Sequence, residues 1–227
     1  MRTTRRLHNG ETLVLTVPDA TSLPPSAAIS VLSQDGLELE VNSGGPAHLE
    51  HYLSVSGSAL THEVGLRTGL TLRHGRYGGD PASGLAFSVA VGDHEVFGFT
   101  VSSLDLEGLS ALLSQVEFTA DPDGPVLTPG GSVEWSPFRT HDVAQVVHLG
   151  SGHHALLDVR RTRNGVTRPT GPGLDVAGGR LSRSAENERA HYAVLEAAAF
   201  VVYGIPGVED DVDAVATTLS RLTAELA

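Results

Sequence analysis

Two apolar runs flank Gly150-Ser151-Gly152 in the stretch Thr140–Arg161, THDVAQVVHLGSGHHALLDVRR, and their alternation is the clearest pattern in the chain. A three-residue loop ending in glycine suits a type I turn followed by a left-handed residue, the place of Gly152. The implied register pairs Val147 with Ala155, Gln145 with Leu157 and Val143 with Val159, which collects Val143, Val147, Ala155, Leu157 and Val159 on one face. The other face carries His148 opposite His154, Val146 opposite Leu156 and Asp142 opposite Arg160. A slip of one residue would bring Arg160 and Leu156 to the valine side, so the apolar pattern itself selects the register.

Further β-type runs occupy residues 11–17, 28–33 and 36–42, with Asp35-Gly36 as a tight-turn signal between the last two. HYLSVSG and GLTLRHGRY read as additional strands. LAFSVAV and EVFGFTVSS form a second hairpin across Gly92-Asp93, and lead into a helix over 104–116 whose Leu106, Leu109, Leu113 and Val116 make one apolar face. Two helices are predicted at the end of the chain. The first spans 185–203, capped by Ser184 and stopped by Gly204 and Pro206, and is apolar nearly all round from Ala193 to Val202. The second spans 208–226, with Val208, Val212, Val215, Leu219, Leu222 and Leu226 on one stripe.

These elements predict an α+β fold, mainly antiparallel sheet with one internal helix and two C-terminal helices. The stretch 119–132, TADPDGPVLTPGGS, is dense in Pro, Gly and Asp. It separates a β-rich part, 1–118, from a hairpin and two-helix part, 133–227, or forms a long loop inside one continuous domain. No internal repeat is evident in the sequence.

Composition removes several chemistries. The 227 residues include no cysteine, and all fifteen basic residues are arginine. Disulfides, thiolate catalysis, Cys-based metal centres, Schiff-base lysines and the P-loop lysine are therefore excluded. Isoleucine occurs only at Ile29 and Ile205, and its depletion together with lysine points to a GC-rich coding bias. No run approaches the ~18 apolar residues of a membrane span, and the start MRTTRRLHNGETLVLTV lacks an apolar signal core. A soluble, cytoplasmic protein is the expectation.

The formal net charge is −12, but it is unevenly spread. Between Arg160 and Arg189 stand Arg160, Arg161, Arg163, Arg168, Arg180, Arg183 and Arg189, against Asp175, Glu186 and Glu188. Soon afterwards come Glu209, Asp210, Asp211 and Asp213. Arginine's planar fork suits carboxylates, phosphates and nucleic-acid backbone alike, so 160–189 is read as a basic arm for an anionic partner. The acidic run is read as its complementary surface, in self-association or with another protein. No aromatic residues accompany the arginines for base stacking, which leaves nucleic acid as a secondary partner class.

Catalytic signatures are missing: there is no HExxH, GxSxG, GxGxxG or Walker A motif. Arg73-His74-Gly75 shares the tripeptide of histidine phosphatases. A turn, Arg76-Tyr77-Gly78-Gly79-Asp80-Pro81, follows it where that family has a helix, and the match is read as chance. His148, His153, His154 and Asp158 suggest a metal centre, but strand geometry scatters them. His153 and His154 point to opposite faces, and Asp158 lies ~13 Å along the strand from His154. The hairpin supplies two ligands at most, His148 and His154, with His141 as a third only if the strand bends. His48-Leu49-Glu50-His51 puts two histidines together only on a helix. The sequence reading is therefore a non-catalytic protein-interaction or assembly protein without a cofactor. A histidine-based metal-dependent hydrolase and a phosphate or nucleic-acid binding module are the alternatives.

Overall fold

A computed structural model of the chain describes residues 1–80, 82–101, 103–138, 141–162, 173–184, 191–207 and 212–227. From the N-terminus come β1 (Arg2–Arg6), β2 (Thr12–Thr16), β3 (Ala20–Ser22), β4 (Ala27–Gln34), β5 (Leu37–Gly44) and helix α1 (Pro46–Ser56). Next, β6 (His62–Gly65), β7 (Thr71–Arg76), β8 (Leu85–Val91) and β9 (His94–Phe99) lead into α2 (Leu106–Leu113). β10 (Val116–Thr119), β11 (Val126–Pro129) and β12 (Glu134–Trp135) precede the hairpin of β13 (Asp142–Leu149) and β14 (His154–Arg161). Last are β15 (Leu174–Val176), β16 (Gly179–Arg183), β17 (Ala193–Glu196), β18 (Phe200–Pro206), α3 (Val212–Leu219) and β19 (Thr223–Leu226).

The chain divides into two compact units. Unit 1 comprises Met1–Arg5, Glu11–Ser26 and Asp142–Ala227; unit 2 comprises Arg6–Gly10 and Ala27–His141. In unit 2 the strand order is β4-β5-β9-β8-β7-β6, with β12 beside β4 and a separate β10-β11 ladder. In unit 1 it is β13-β14-β18-β17-β16-β15, with β3 beside β13 and β19 paired to β2. The pairings are antiparallel. Both orders follow one plan. A hairpin comes first, the last strand of the set returns beside the hairpin's second strand, and the others run outward as a meander.

The β13–β14 hairpin has the register that its apolar alternation predicts, from Asp142 opposite Arg160 to His148 opposite His154. Val143, Val147, Ala155, Leu157 and Val159 are buried, His148 and His154 are exposed, and Gly152 has φ +81°. Asp35 and Gly36 both have positive φ, as a two-residue hairpin turn requires. The core of unit 2 lays Leu109, Leu112 and Leu113 of α2 against Leu72, Phe87 and Val89 of the sheet. Asp105 caps α2, accepting a hydrogen bond from the Gly108 amide at 2.9 Å.

The helix placement differs from the sequence expectation. The described residues hold three helices, two internal and one C-terminal, in an α+β fold with mostly antiparallel sheet. In place of the expected helix over 185–203 stand β17 and the first four residues of β18, while 185–190 lie outside the described residues. An apolar run such as AVLEAAAFVVYGI fits a buried helix and a strand buried on both faces equally well by periodicity. All four residues of β17 are buried, and Val, Phe and Tyr favour the pleated conformation. Of the expected helix over 208–226, the described residues hold α3, whereas Thr223–Leu226 pairs with β2 as β19; 208–211 lie outside the described residues.

In the other direction, HYLSVSG ends a helix rather than forming a strand. α1 starts with proline at its first turn, and Gly57 closes it in the left-handed conformation at φ +62°. Its signal was faint because only Leu49 is buried, while Tyr52 packs its ring on Phe97 and Phe99.

Candidate functional site

A cleft in unit 2 lies where the β6–β7 hairpin meets the start of α2. It has a volume of about 480 Å³ and is lined by His62, His74, Arg76, Leu85, Leu104 and Asp105, among others. That volume falls in the ~300–1,000 Å³ range of small-molecule sites. His62 and His74 are direct cross-strand partners, and their rings stack with centroids 5.4 Å apart and planes at 20°. Thr61 Oγ1 and His62 Nδ1 share a hydrogen bond at 2.8 Å, and the Thr61 amide donates to the His74 carbonyl at 3.0 Å.

Two glycines shape the cleft. A Cβ on Gly75 would overlap the Ala59 carbonyl oxygen, and one on Gly84 would overlap that of Thr100. The backbone can approach this closely only without a side chain. Arg76 is exposed at the rim, with its Nη1 3.4 Å from the Ser83 carbonyl oxygen. The Asp105 carboxylate is engaged as the α2 cap. Burial pushes the His74 pKa below its ordinary value of 6.5, and the neighbouring His62 and Arg76 push it the same way. The cleft thus gathers three groups able to carry positive charge, beside the Asp105 carboxylate that caps α2.

A second polar cluster in unit 2 was not visible in the sequence. His8, fully buried, contacts Ser30 Oγ through Nδ1 at 2.9 Å and Ser43 Oγ through Nε2 at 2.8 Å. Ser30 Oγ also meets His141 Nδ1 at 2.7 Å, and Trp135 packs edge-on against the His141 ring. Ser30 and Ser43 are 1% and 0% exposed, so neither hydroxyl can reach a substrate. The network satisfies buried polar groups. The one available signal was phase: Ser30 sits in register with Ala28 and Leu32 on the buried side of β4.

The candidate metal residues divide between places. His148 and His154 face each other in unit 1 beside a more open hollow of about 470 Å³, and Ser22 Oγ meets His148 Nδ1 at 2.9 Å. His141 belongs to unit 2, at Ser30. Among the described residues no three His, Cys, Asp or Glu side chains are grouped to hold a metal ion. This also answers for His48 and His51 on α1.

The described arginines of the basic segment have carboxylate neighbours within their own unit. Arg160 donates from Nε and Nη2 to Asp158 Oδ2 at 2.9 and 2.6 Å, lies 4.9 Å from the centre of the Tyr203 ring, and has its pKa raised chiefly by the Asp158 hydrogen bond. Arg161 pairs with Glu11, and Arg183 with Asp213. Arg180 stands opposite Asp175 on β15 and Glu196 on β17. Arg163 and Arg168 of the basic arm, and Glu209, Asp210 and Asp211 of the acidic surface, lie outside the described residues. Among the described residues no helix is long and apolar enough to cross a membrane. No protein-family model, no curated protein and no solved structure matches the chain.

Proposed function

We propose that this chain is a non-catalytic binding protein whose ligand is a small anion, a carboxylate or a phosphate, held in the unit 2 cleft. The observation that carries the reading is the stacked pair His62–His74 with Arg76 on the same wall. Two imidazoles brought together repel each other once protonated, and an anion between them and the guanidinium removes that cost. Arginine and protonated histidine both donate charge-assisted hydrogen bonds to such oxygens. The shared strand plan does not itself demand a histidine here. In unit 1 the position equivalent to His74 is Arg183, since His74 pairs Phe87 opposite Gly98 and Arg183 pairs Ala193 opposite Gly204.

Calorimetric titration with inorganic phosphate and with succinate at pH 6 and low salt tests the proposal. Saturable binding of either probe, weakened at least tenfold by His74→Gln and by Arg76→Gln, is the expected result. Wild-type protein that binds neither probe would overturn it.

Assembly through opposite charges is kept as a second proposal on one observation. The Arg183–Asp213 pair, joining the basic and acidic segments, is more than half exposed on both sides. Sedimentation of a variant with Arg161, Arg163 and Arg168 changed to Ser tests it: association of wild type that the variant loses is expected. Association identical in the two, or none in wild type at any salt, counts against it.

A further inference from the structure

The two units repeat more than a strand order. In unit 2, Phe87 opposes Gly98, and the next pairs are Ser88–Phe97, Val89–Val96 and Ala90–Glu95. In unit 1, Ala193 opposes Gly204, followed by Val194–Tyr203, Leu195–Val202 and Glu196–Val201. The shift that carries Gly98 onto Gly204 also carries α2 onto α3, eight residues each, with no insertion or deletion. Leu113 falls on Leu219, and Ser114 on Ser220. The buried side chains coincide as well: Leu109, Leu112, Leu113 and Val116 against Val215, Thr218, Leu219 and Leu222.

Ahead of each sheet in the sequence stands an arm of two short strands, and the arms correspond too. Val14-Leu15-Thr16 of β2 recurs as Val126-Leu127-Thr128 of β11. Val126 pairs Thr119 on β10, and Val14 pairs Glu225 on β19, the counterpart of Thr119. In the second arm strands, Glu134 of β12 faces Ser33 and Ser22 of β3 faces His148. Ser33 and His148 are themselves counterparts, being opposite Glu38 and His154 in hairpins whose second strands meet β9 and β18 in the same register.

The arms pair away from the sheets they precede. β2 and β3 come just before the unit 2 sheet yet pair with β19 and β13 of unit 1, while β11 and β12 come just before the unit 1 sheet yet pair with β10 and β4 of unit 2. We infer that the chain is a tandem duplication of one module whose arms are exchanged, so that the partner each arm fits is the other copy of its own module. An arm transferred between identical modules makes the same contacts it would make at home, which is the logic of domain swapping. Duplication followed by divergence of the side chains then leaves one chain in which both units need both halves.

The test cuts the intact protein between its halves. A protease site inserted between Pro122 and Asp123, in the β10–β11 connection, is cleaved in the folded protein, and the product is run on gel filtration with and without urea. The two fragments are expected to elute together at the volume of the uncut protein and to separate only in denaturant. Leu15→Pro in one arm and Leu127→Pro in the other should each shift that separation to lower urea, by similar amounts, since they occupy the same place in the module. Separation of the fragments in native buffer, or a midpoint unmoved by both arm substitutions, would overturn the inference. A second variant with the site between Gly124 and Pro125, still ahead of β11, applies the same criteria if the first does not fold.

Discussion

His62 on β6 and His74 on β7 face each other across the hairpin, their rings stacked 5.4 Å apart. The relationship has a thermodynamic sign. His74 titrates below its ordinary 6.5 in the folded chain, because burial first, then His62 and Arg76, disfavour its charge. As pH falls, the unfolded chain therefore takes up the proton before the folded one, and stability present above pH 6.5 is lost as pH falls through the lowered value. Removing the second imidazole with His62→Gln should raise the His74 pKa and flatten this dependence. Ring-proton titration by NMR and thermal melts between pH 5 and 8 would check both; a His74 pKa unmoved by the substitution would show that the stacked pair is not coupled.

Anion binding in the same cleft is linked to the same proton. A ligand that favours protonated His74 should bind more tightly as pH falls from 8 to 6, with uptake of protons on binding. Titrations of phosphate-free protein with succinate, in buffers of different ionisation enthalpy, would read the uptake directly. Affinity independent of pH would place the ligand away from His74.

Gly75→Ala should be costly where it stands. The added Cβ meets the backbone carbonyl of Ala59, which has no flexible end to give way, and overpacking of this kind costs roughly 1–3 kcal/mol or more. At Gly150 a Cβ meets nothing within 4 Å, so Gly150→Ala should stay within about 0.5 kcal/mol of wild type. Urea denaturation of the two variants side by side makes the comparison.

Ser30→Ala tests the buried network. The Ser30 hydroxyl bridges His8 Nδ1 and His141 Nδ1, and its loss removes a hydrogen bond from a fully buried histidine. A loss of roughly 1–3 kcal/mol is expected. A neutral result would mean that water or a shifted partner takes the place of the hydroxyl.

Leu113→Ala and Leu219→Ala occupy the same place in the two helices, and both side chains are fully buried. Each should cost about 2–5 kcal/mol, the range for deleting a core leucine. Ala111→Ser and Thr217→Ser, on the exposed faces of the same helices, should cost little.

Local alternation and turn chemistry were enough to read much of the sheet from the sequence. The β13–β14 register follows from Val143, Val147, Ala155, Leu157 and Val159, since a slip by one residue would expose them all. Asp35-Gly36 and Gly92-Asp93 announced their hairpins, and Asp105 with Leu109 and Leu113 announced α2. The absence of cysteine and lysine excluded whole chemistries without reference to any fold. What the sequence could not carry was the choice between helix and strand for Ala193–Pro206, because a run buried on every side has no polar phase to report its period. Pairing between distant segments decided that, as it decided that Thr223–Leu226 leaves the helical stripe to join β2. The cleft depends on it too. His62 and His74 are twelve positions apart, and only the β6–β7 register stacks them, while the close approach of Ala59 to Gly75 and of Thr100 to Gly84 shapes the space beside them. The repeat stayed hidden for the same reason. Val14-Leu15-Thr16 and Val126-Leu127-Thr128 are too short to stand out among β-type runs, and their equivalence rests on partners, Glu225 and Thr119, that tertiary structure alone brings beside them.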